Sequence, residues 1–177
     1  MLSQQAPSFS GPLVPILPPQ LREAIYSPSH RRPPMPTISF NITINQPADK
    51  IFDYVTSVEN HKAWQAGIAD AKVTPAGPVA VGSTYVYTTE VMGRKIESKM
   101  QVSALEQNKK WAVKTVGVPN SVETVYLFEP AGSGTKVTIS MDVPAGAYPA
   151  PAEAMIKQQM QKSLEEQCNR IKQMLEK

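Results

Sequence analysis

The class of fold is indicated first by residues 38–64, ISFNITINQPADKIFDYVTSVENHKAW. Apolar residues stand at every second position from Ile38 to Ile44, which predicts a strand with one buried face. Pro47 suits the first turn of a helix. The apolar stripe of that helix consists of Ile51, Phe52, Val55 and Val58. A strand, an amphipathic helix and then Trp64 indicate a domain that combines both kinds of secondary structure.

From Val73 onward the apolar pattern has a period of two residues, which predicts a series of β-strands. Glycine, proline and asparagine separate the apolar runs, as turns require. The predicted strands cover residues 68–75, 83–92, 95–104, 109–118, 121–129 and 136–143. With the first strand they would form a sheet of about seven strands, within the usual range of sheet sizes.

Pro149 and Pro151 precede a long amphipathic segment that predicts a C-terminal helix. Its apolar positions recur at spacings of three and four residues: Ile156, Met160, Leu164, Cys168, Ile171 and Leu175. A helix from Pro151 to Glu176 would be about 39 Å long at 1.5 Å per residue. The expected fold class is therefore α+β, with a curved antiparallel sheet around this helix.

The turn positions predict how the strands pair. The predicted opposed pairs are Thr89 with Ser98, Tyr87 with Met100, Met100 with Val113, Val113 with Tyr126, Thr115 with Thr124, Tyr126 with Ile139 and Thr124 with Met141. In this register the apolar faces of neighbouring strands coincide, although the apolar face of each strand is assigned independently. That agreement favours an antiparallel meander with one buried face.

The buried face has a bulky end and an end of small hydroxyl side chains. One predicted layer, expected to pack solidly, consists of Tyr85, Val102, Trp111, Phe128 and Val137. Another consists of Thr89, Ser98, Thr115, Thr124 and Met141, where a filled core would need larger side chains. Apolar walls with a few polar groups are typical of a ligand pocket. Threonine also favours strands in the absence of a ligand, so a solid core is the alternative.

The predicted ligand-binding residues come from this face, the last helix and the second short helix. They are Trp64, Tyr87, Thr89, Ser98, Met100, Val113, Thr115, Thr124, Tyr126, Met160 and Leu164. We expect Trp64 to be partly buried at the entrance. No residue is assigned a catalytic role: His61 is interpreted as a solvated surface residue, and Cys168 as a small buried hydrophobic residue. No His or Cys pair has metal-ligand spacing, and we expect neither a metal nor a cofactor.

Composition excludes several function classes. The net charge of the 177 residues is +3, and the first 36 residues hold three arginines and one glutamate. The remainder has 15 basic and 14 acidic residues, a balance that argues against nucleic acid as a partner. The single cysteine allows no internal disulfide. No apolar run approaches the ~20 residues that span a bilayer, and no leader pattern is visible, so a soluble cytoplasmic protein is expected.

The chain divides at residue 36, because nine of its 17 prolines precede that point. Proline interrupts both helices and central strands, so residues 1–36 are predicted to form an extended arm, and residues 37–177 the domain. The arm is either a flexible tail or a segment docked through its apolar residues. In the second case Leu13, Val14, Ile16 and Leu17 would cover the outer sheet face near Val125 and Leu127.

Residues 38–64 resemble the opening of the START-like superfamily, which includes the polyketide cyclase/dehydrase and lipid transport group and the Bet v 1-like proteins. Pro47, the Phe52-Asp53 pair, Asn60 and Trp64 carry this resemblance. GPVAVGSTY (residues 77–85) and YLFEPAGSGTKVTI (residues 126–139) resemble two further stretches of the family. The resemblance covers residues 37–177 and implies a helix-grip fold. Members include lipid and hormone binders, quinone-binding proteins, chaperone activators, cyclases and oxygenase subunits, so the fold leaves the function open.

Three functions remain compatible with the sequence. The first is binding or transport of a small apolar or amphipathic molecule between the sheet and the last helix. The second is a cyclase- or dehydratase-like enzyme in which Tyr85, Tyr87 or Tyr126 acts as acid or base. The third is a protein-interaction module that uses Val125 and Leu127 on the outer face of the sheet.

Overall fold

The structure is a computed structural model that describes residues 37–74, 77–91, 93–119, 121–143 and 149–177. The predictions for the proline-rich arm lie outside the described residues. The domain begins with β1 (Thr37–Ile44), α1 (Ala48–Thr56), a 3-10 turn (Val58–Asn60) and α2 (His61–Trp64). The remaining elements are β2 (Ile68–Thr74), β3 (Thr84–Val91), β4 (Arg94–Glu106), β5 (Lys110–Val116), β6 (Glu123–Ala131), β7 (Gly134–Asp142) and α3 (Ala150–Leu175).

The seven strands form one sheet in the order β1-β7-β6-β5-β4-β3-β2. Every neighbouring pair is antiparallel. Strands from β2 to β7 form a meander, and β1 returns to pair with β7, which makes β1 and β2 the two edges. Helix α3 contacts β1, β7 and α2. The α+β class and the helix-grip arrangement of a curved sheet around a C-terminal helix are confirmed.

The predicted register is correct for one hairpin and wrong by two residues for three others. Tyr126 lies opposite Ile139, as predicted. Tyr87, however, lies opposite Ser98 and not Met100, and Met100 lies opposite Thr115 and not Val113. The observed partner of Val113 is Thr124, where Tyr126 was predicted.

The displaced turns explain why side chains stay on their predicted face of the sheet despite this error in register. Val91 pairs with Arg94, so the β3–β4 turn lies one residue earlier than predicted, with Gly93 at a φ of +73°. Moving a two-residue turn by one position shifts the pairing by two residues. Side chains alternate with a period of two, so a shift of two keeps each residue on the same face. The predicted faces of neighbouring strands therefore still coincide, whereas the predicted composition of each layer is wrong.

The end of the sheet near the β6–β7 turn is tightly closed. β6 continues to Ala131 and β7 begins at Gly134, so both strands reach two residues closer to the turn at Gly132 and Ser133 than predicted. Gly134 approaches the end of β1 so closely that an added Cβ would overlap the Ile44 carbonyl oxygen. Only glycine avoids this overlap, and its absence of a side chain lets β1 close against β7.

Helix α3 is held firmly at its C-terminal end. The Asn45 backbone N–H donates to Glu176 Oε1 at 2.7 Å, and Gln46 Nε2 donates to the Leu175 carbonyl at 2.8 Å. In the C-terminal half the stripe residues Leu164, Cys168, Ile171 and Leu175 are buried. Ile156 and Met160, nearer the N-terminus, are only half-buried. The sheet and the helix therefore pack closely at one end and leave space at the other.

Candidate functional site: a cavity between the sheet and the last helix

A cavity of about 320 Å³ lies between the inner face of the sheet and α3. Its lining consists of Gln65, Tyr87, Ser98, Met100, Val113, Thr115, Val122, Thr124, Tyr126, Met141, Met160, Ser163 and Gln167. The volume falls at the lower end of the range typical of small-molecule sites. Because the lining comes from five strands, α3 and the residue after α2, the fold itself creates the space.

Eight of the eleven predicted site residues line this cavity. They are Tyr87, Ser98, Met100, Val113, Thr115, Thr124, Tyr126 and Met160. They share the inner face of the sheet or the exposed part of the α3 stripe, and the register shift of two residues leaves both features unchanged. Their contact with a ligand stays a prediction.

The other three predicted residues do not line the cavity. Trp64 is fully buried, so its expected position at the entrance is wrong; its indole ring packs against the rings of His61 and Tyr126 at 5.2 and 6.0 Å. Leu164 lies on α3 and is fully buried. Thr89 lies opposite Ile96, further toward the hairpin tip than predicted, and its hydroxyl donates to the Ile96 carbonyl at 3.2 Å.

Five lining residues were absent from the predicted set: Gln65, Val122, Met141, Ser163 and Gln167. Val122 and Met141 follow the inward alternation of their segments, so that signal was available. Ser163 and Gln167 are three and seven residues after Met160, which places them on the same face of α3. Their polarity concealed them, because polar residues of an amphipathic helix are expected to face solvent. Gln65 has no comparable signal beyond its place after Trp64.

His61 is buried, which contradicts its interpretation as a solvated surface histidine. Four aromatic rings surround the imidazole, with centroids 5.2–5.7 Å away: Trp64, Tyr85, Tyr87 and Trp111. His61 and Trp64 are three residues apart on α2, so both side chains project from the same helical face toward the sheet. The aromatic layer predicted to pack solidly is buried in the structure, and His61 is part of it.

Hydrogen bonds fix the protonation of the imidazole. His61 Nε2 is 2.8 Å from the Val55 carbonyl, which can only accept, so Nε2 carries the proton. Nδ1 must then accept from the Tyr87 hydroxyl at 2.7 Å. The Tyr87 oxygen in turn accepts from Gln65 Nε2 at 3.0 Å. This chain of three bonds orients Gln65 and Tyr87, two residues of the cavity wall.

The cavity wall is uncharged at neutral pH. Burial lowers the pKa of His61 to about 4, so its ring behind Tyr87 is neutral. Burial also raises the pKa of Tyr87 and Tyr126 above the ordinary tyrosine value, and that of the Cys168 thiol to about 12. A thiol with so high a pKa holds its proton, which argues against a nucleophilic role for Cys168.

Within residues 37–74, 77–91, 93–119, 121–143 and 149–177, no three His, Cys, Asp or Glu side chains are grouped so as to hold a metal ion. None of the helices in the same part of the chain is both long and apolar enough to cross a bilayer.

The fold and the cavity together define a protein of the START-like class. Residues 35–176 match the family described as polyketide cyclase / dehydrase and lipid transport, and the chain belongs to this family. The predicted relationship is therefore confirmed. A search of functionally characterised proteins gives no sequence match.

Solved structures share the fold at low sequence identity. A START superfamily protein from Mycobacterium smegmatis is 17% identical with a TM-score of 0.65, over 79% of this chain and 97% of that one. A protein from Thermus thermophilus is 13% identical with a TM-score of 0.64, over 78% and 95% of the two chains. The protein Ara h 8.0201 is 18% identical with a TM-score of 0.58, over 76% and 96%. At these identities the likeness concerns the fold alone.

Proposed function

We propose that this protein binds a small apolar or amphipathic molecule in the cavity between the sheet and α3. The observation that carries the proposal is the 320 Å³ space lined by inward-facing side chains. Small side chains such as Ser98 and Thr115 stand where larger ones would fill the core. Met100, Met141 and Met160 provide flexible, polarisable walls that adapt to an apolar ligand.

Membership of the family supports this proposal, since lipid transport is one of the activities in the family description. The ligand would enter where the wall is half-exposed. Ser98, Thr115, Val122, Met160 and Ser163 are all partly accessible, whereas Val113, Thr124 and Tyr126 are buried. A ligand that enters from the accessible side would reach its deepest point near the tyrosines.

Native mass spectrometry of the full chain purified from its source tests the proposal. We expect a retained molecule that is released on denaturation. Titration with the uncharged fluorophore N-phenylnaphthylamine gives an independent measurement, with saturable one-to-one binding expected. A chain that retains no molecule and gives only linear, non-saturating fluorescence would contradict the proposal.

The hydrogen bond between Tyr87 and His61 favours an enzyme of the cyclase or dehydratase type as a second candidate. A hydroxyl held by an imidazole at 2.7 Å on a cavity wall is an arrangement suited to proton transfer. In this function Tyr87 would accept a proton from the bound molecule while its own proton passes to His61 Nδ1, and a proton returned through Tyr87 to the leaving hydroxide would release water. Incubating the recovered ligand or its precursors with the protein tests this, because loss of water changes the ligand mass. Tyr87→Phe should abolish the mass change and retain N-phenylnaphthylamine binding, whereas turnover by the variant would exclude the role.

A further inference from the structure

The cavity wall contains no formal charge. None of its 13 residues is Asp, Glu, Lys, Arg or His among the described residues that form it. Lys114 and Glu123 alternate with cavity residues on β5 and β6 and lie opposite each other across the strands, on the other face of the sheet. A charged ligand group inside would lose water without gaining an opposite charge, which is strongly unfavourable.

The wall nevertheless contains buried hydrogen-bonding groups that have no protein partner. Thr124 is 7% exposed and Tyr126 is 2% exposed, and no hydrogen bond joins either hydroxyl to another residue in the described part of the chain. Neither oxygen is among the fully enclosed atoms without a partner, so both hydroxyls face the accessible space of the cavity. Buried hydroxyl groups in folded proteins are almost always hydrogen-bonded. Because both residues line the cavity, the contents of the cavity are the available partner.

Gln167 faces the same space from α3. It is 8% exposed, and its Nε2 donates to Ser163 Oγ at 3.2 Å. The second N–H of that amide and its carbonyl oxygen have no hydrogen bond to any described residue. Thr124 and Tyr126 on the sheet and Gln167 on the helix therefore offer uncharged donors from two sides.

The hydroxyl of Tyr87 differs from these groups. Its proton is directed to His61 Nδ1, and its oxygen already accepts from Gln65. It cannot donate to a ligand without breaking the bond to His61, so the free donors among the buried residues of the wall are those of Thr124, Tyr126 and Gln167. The indole nitrogens of Trp64 and Trp111 also lack partners among the described residues, but these residues do not line the cavity.

We propose that the cavity selects an uncharged molecule with a carbonyl or hydroxyl oxygen on an apolar skeleton, and that Thr124, Tyr126 and Gln167 bind this oxygen. This inference rests on the proposed ligand-binding function and specifies the chemical class of the ligand. The apolar skeleton occupies the space between Met100, Val113 and Met160. Carboxylates, phosphates and amines of the same size are excluded from the interior.

Three compounds with one skeleton test the inference on the full chain: acetylnaphthalene, ethylnaphthalene and naphthoate. Each competes against N-phenylnaphthylamine at neutral pH. We expect the ketone to bind about tenfold more tightly than the hydrocarbon, which corresponds to one net hydrogen bond. The carboxylate should bind at least ~100-fold more weakly than the ketone, because its charge would be buried without a partner.

Two variants that preserve shape assign the effect to these residues. Tyr126→Phe and Thr124→Val should reduce the ratio of ketone affinity to hydrocarbon affinity from about tenfold toward one. Equal wild-type affinity for ketone and hydrocarbon would overturn the polar site while leaving the binding function intact. If naphthoate bound more tightly than acetylnaphthalene and ethylnaphthalene, the proposal that the ligand is uncharged would be overturned. If none of the compounds displaces the fluorophore and the fluorophore itself does not bind, the proposed function fails as well.

Discussion

The two ends of the interior differ, although the same strands build both. On β5, Trp111 is fully buried among aromatic rings, whereas Thr115 borders an open cavity four residues later. On β3, Tyr85 belongs to the packed end and Tyr87 reaches the cavity wall. Only two to four residues along a strand separate the solid core from the open cavity. The fold fixes which side chains face inward, and their size decides where the cavity lies.

Helix α3 shows the same contrast along its axis. Its C-terminal turn is bonded to the β1–α1 connection, and Lys172 Nζ donates to the Thr43 carbonyl at 2.6 Å. In the N-terminal half, Gln161 Nε2 donates to the Ser39 carbonyl of β1 at 3.0 Å. The packed end provides most of the buried apolar contact between helix and sheet, whereas the other end borders the cavity.

Removing the largest ring of the packed end should have the largest effect on stability. Trp111→Ala deletes a fully buried indole in van der Waals contact with Tyr126 and His61. We expect the free energy of unfolding to fall by about 3–5 kcal/mol, as for other buried aromatic truncations. Urea denaturation measures this. Thr115→Ala at the open end is the matched control and should cost less than ~1 kcal/mol. Equal losses would remove the distinction between the two ends.

The pH dependence of stability should come from the packed end. The folded pKa of His61 is about 4 against an ordinary value of 6.5, so between these values the unfolded chain binds a proton that the native protein does not. Stability is then complete above the unfolded pKa and falls as the pH decreases from 6.5 to 4. The shift corresponds to a loss of ~3 kcal/mol across this window.

Urea titrations at several pH values above and within this window measure the effect. The variant His61→Gln cannot titrate and should lack the His61 part of the slope, although its stability at neutral pH will be lower. An identical slope in wild type and variant would show that other groups cause the pH dependence and that His61 is not buried in neutral form.

His61 also shows where sequence-based prediction reaches its limit. The strands and α3 are long enough for alternation and helical periodicity to identify their inward faces, which is why eight predicted residues line the cavity. Helix α2 has only four residues and follows Glu59 and Asn60, so no periodicity marks the buried side of His61. A histidine among polar neighbours gives no local sign of the aromatic rings that strands β3 and β5 bring to it.

Other errors have equally specific causes. The exact turn positions depend on backbone conformation at single residues such as Gly93, which the apolar pattern does not encode. The irregularity of β4 between Val102 and Ala104 likewise changes the pairing without changing the pattern of apolar residues. Layers across the sheet therefore need the structure, whereas faces need it only beyond such an irregularity, where Leu105 comes to lie opposite Trp111.

Tyr87 lies at the boundary between the two ends, and Tyr87→Phe should have an intermediate effect on the free energy of unfolding. The change removes the donor to His61 Nδ1 and the acceptor of Gln65 while retaining the ring. An unsatisfied buried nitrogen typically costs about 1–3 kcal/mol, and we expect the lower part of this range because water in the cavity can approach Gln65. Thermal denaturation measures the loss, with Tyr126→Phe as control, since its hydroxyl has no partner among the described residues. A greater loss of thermal stability in the control would show that the hydroxyl of Tyr126, and not that of Tyr87, contributes more to stability at this boundary.

The substitution Thr115→Leu at the open end should have the smallest effect on stability. It should nevertheless weaken ligand binding. Thr115 is half-exposed on the cavity wall and its Oγ1 accepts from the Val122 backbone N–H at 2.9 Å. A leucine would extend into the existing space, so the apolar contact it gains offsets the lost hydrogen bond and the net change should be below ~1 kcal/mol. In a solid core the same enlargement would overpack and cost about 1–3 kcal/mol.

Affinity for N-phenylnaphthylamine should fall because the side chain occupies the ligand's volume, whereas Thr138→Leu on the other face of β7 should leave it unchanged. A large loss of stability with unchanged affinity would mean that the open end is packed like the aromatic end.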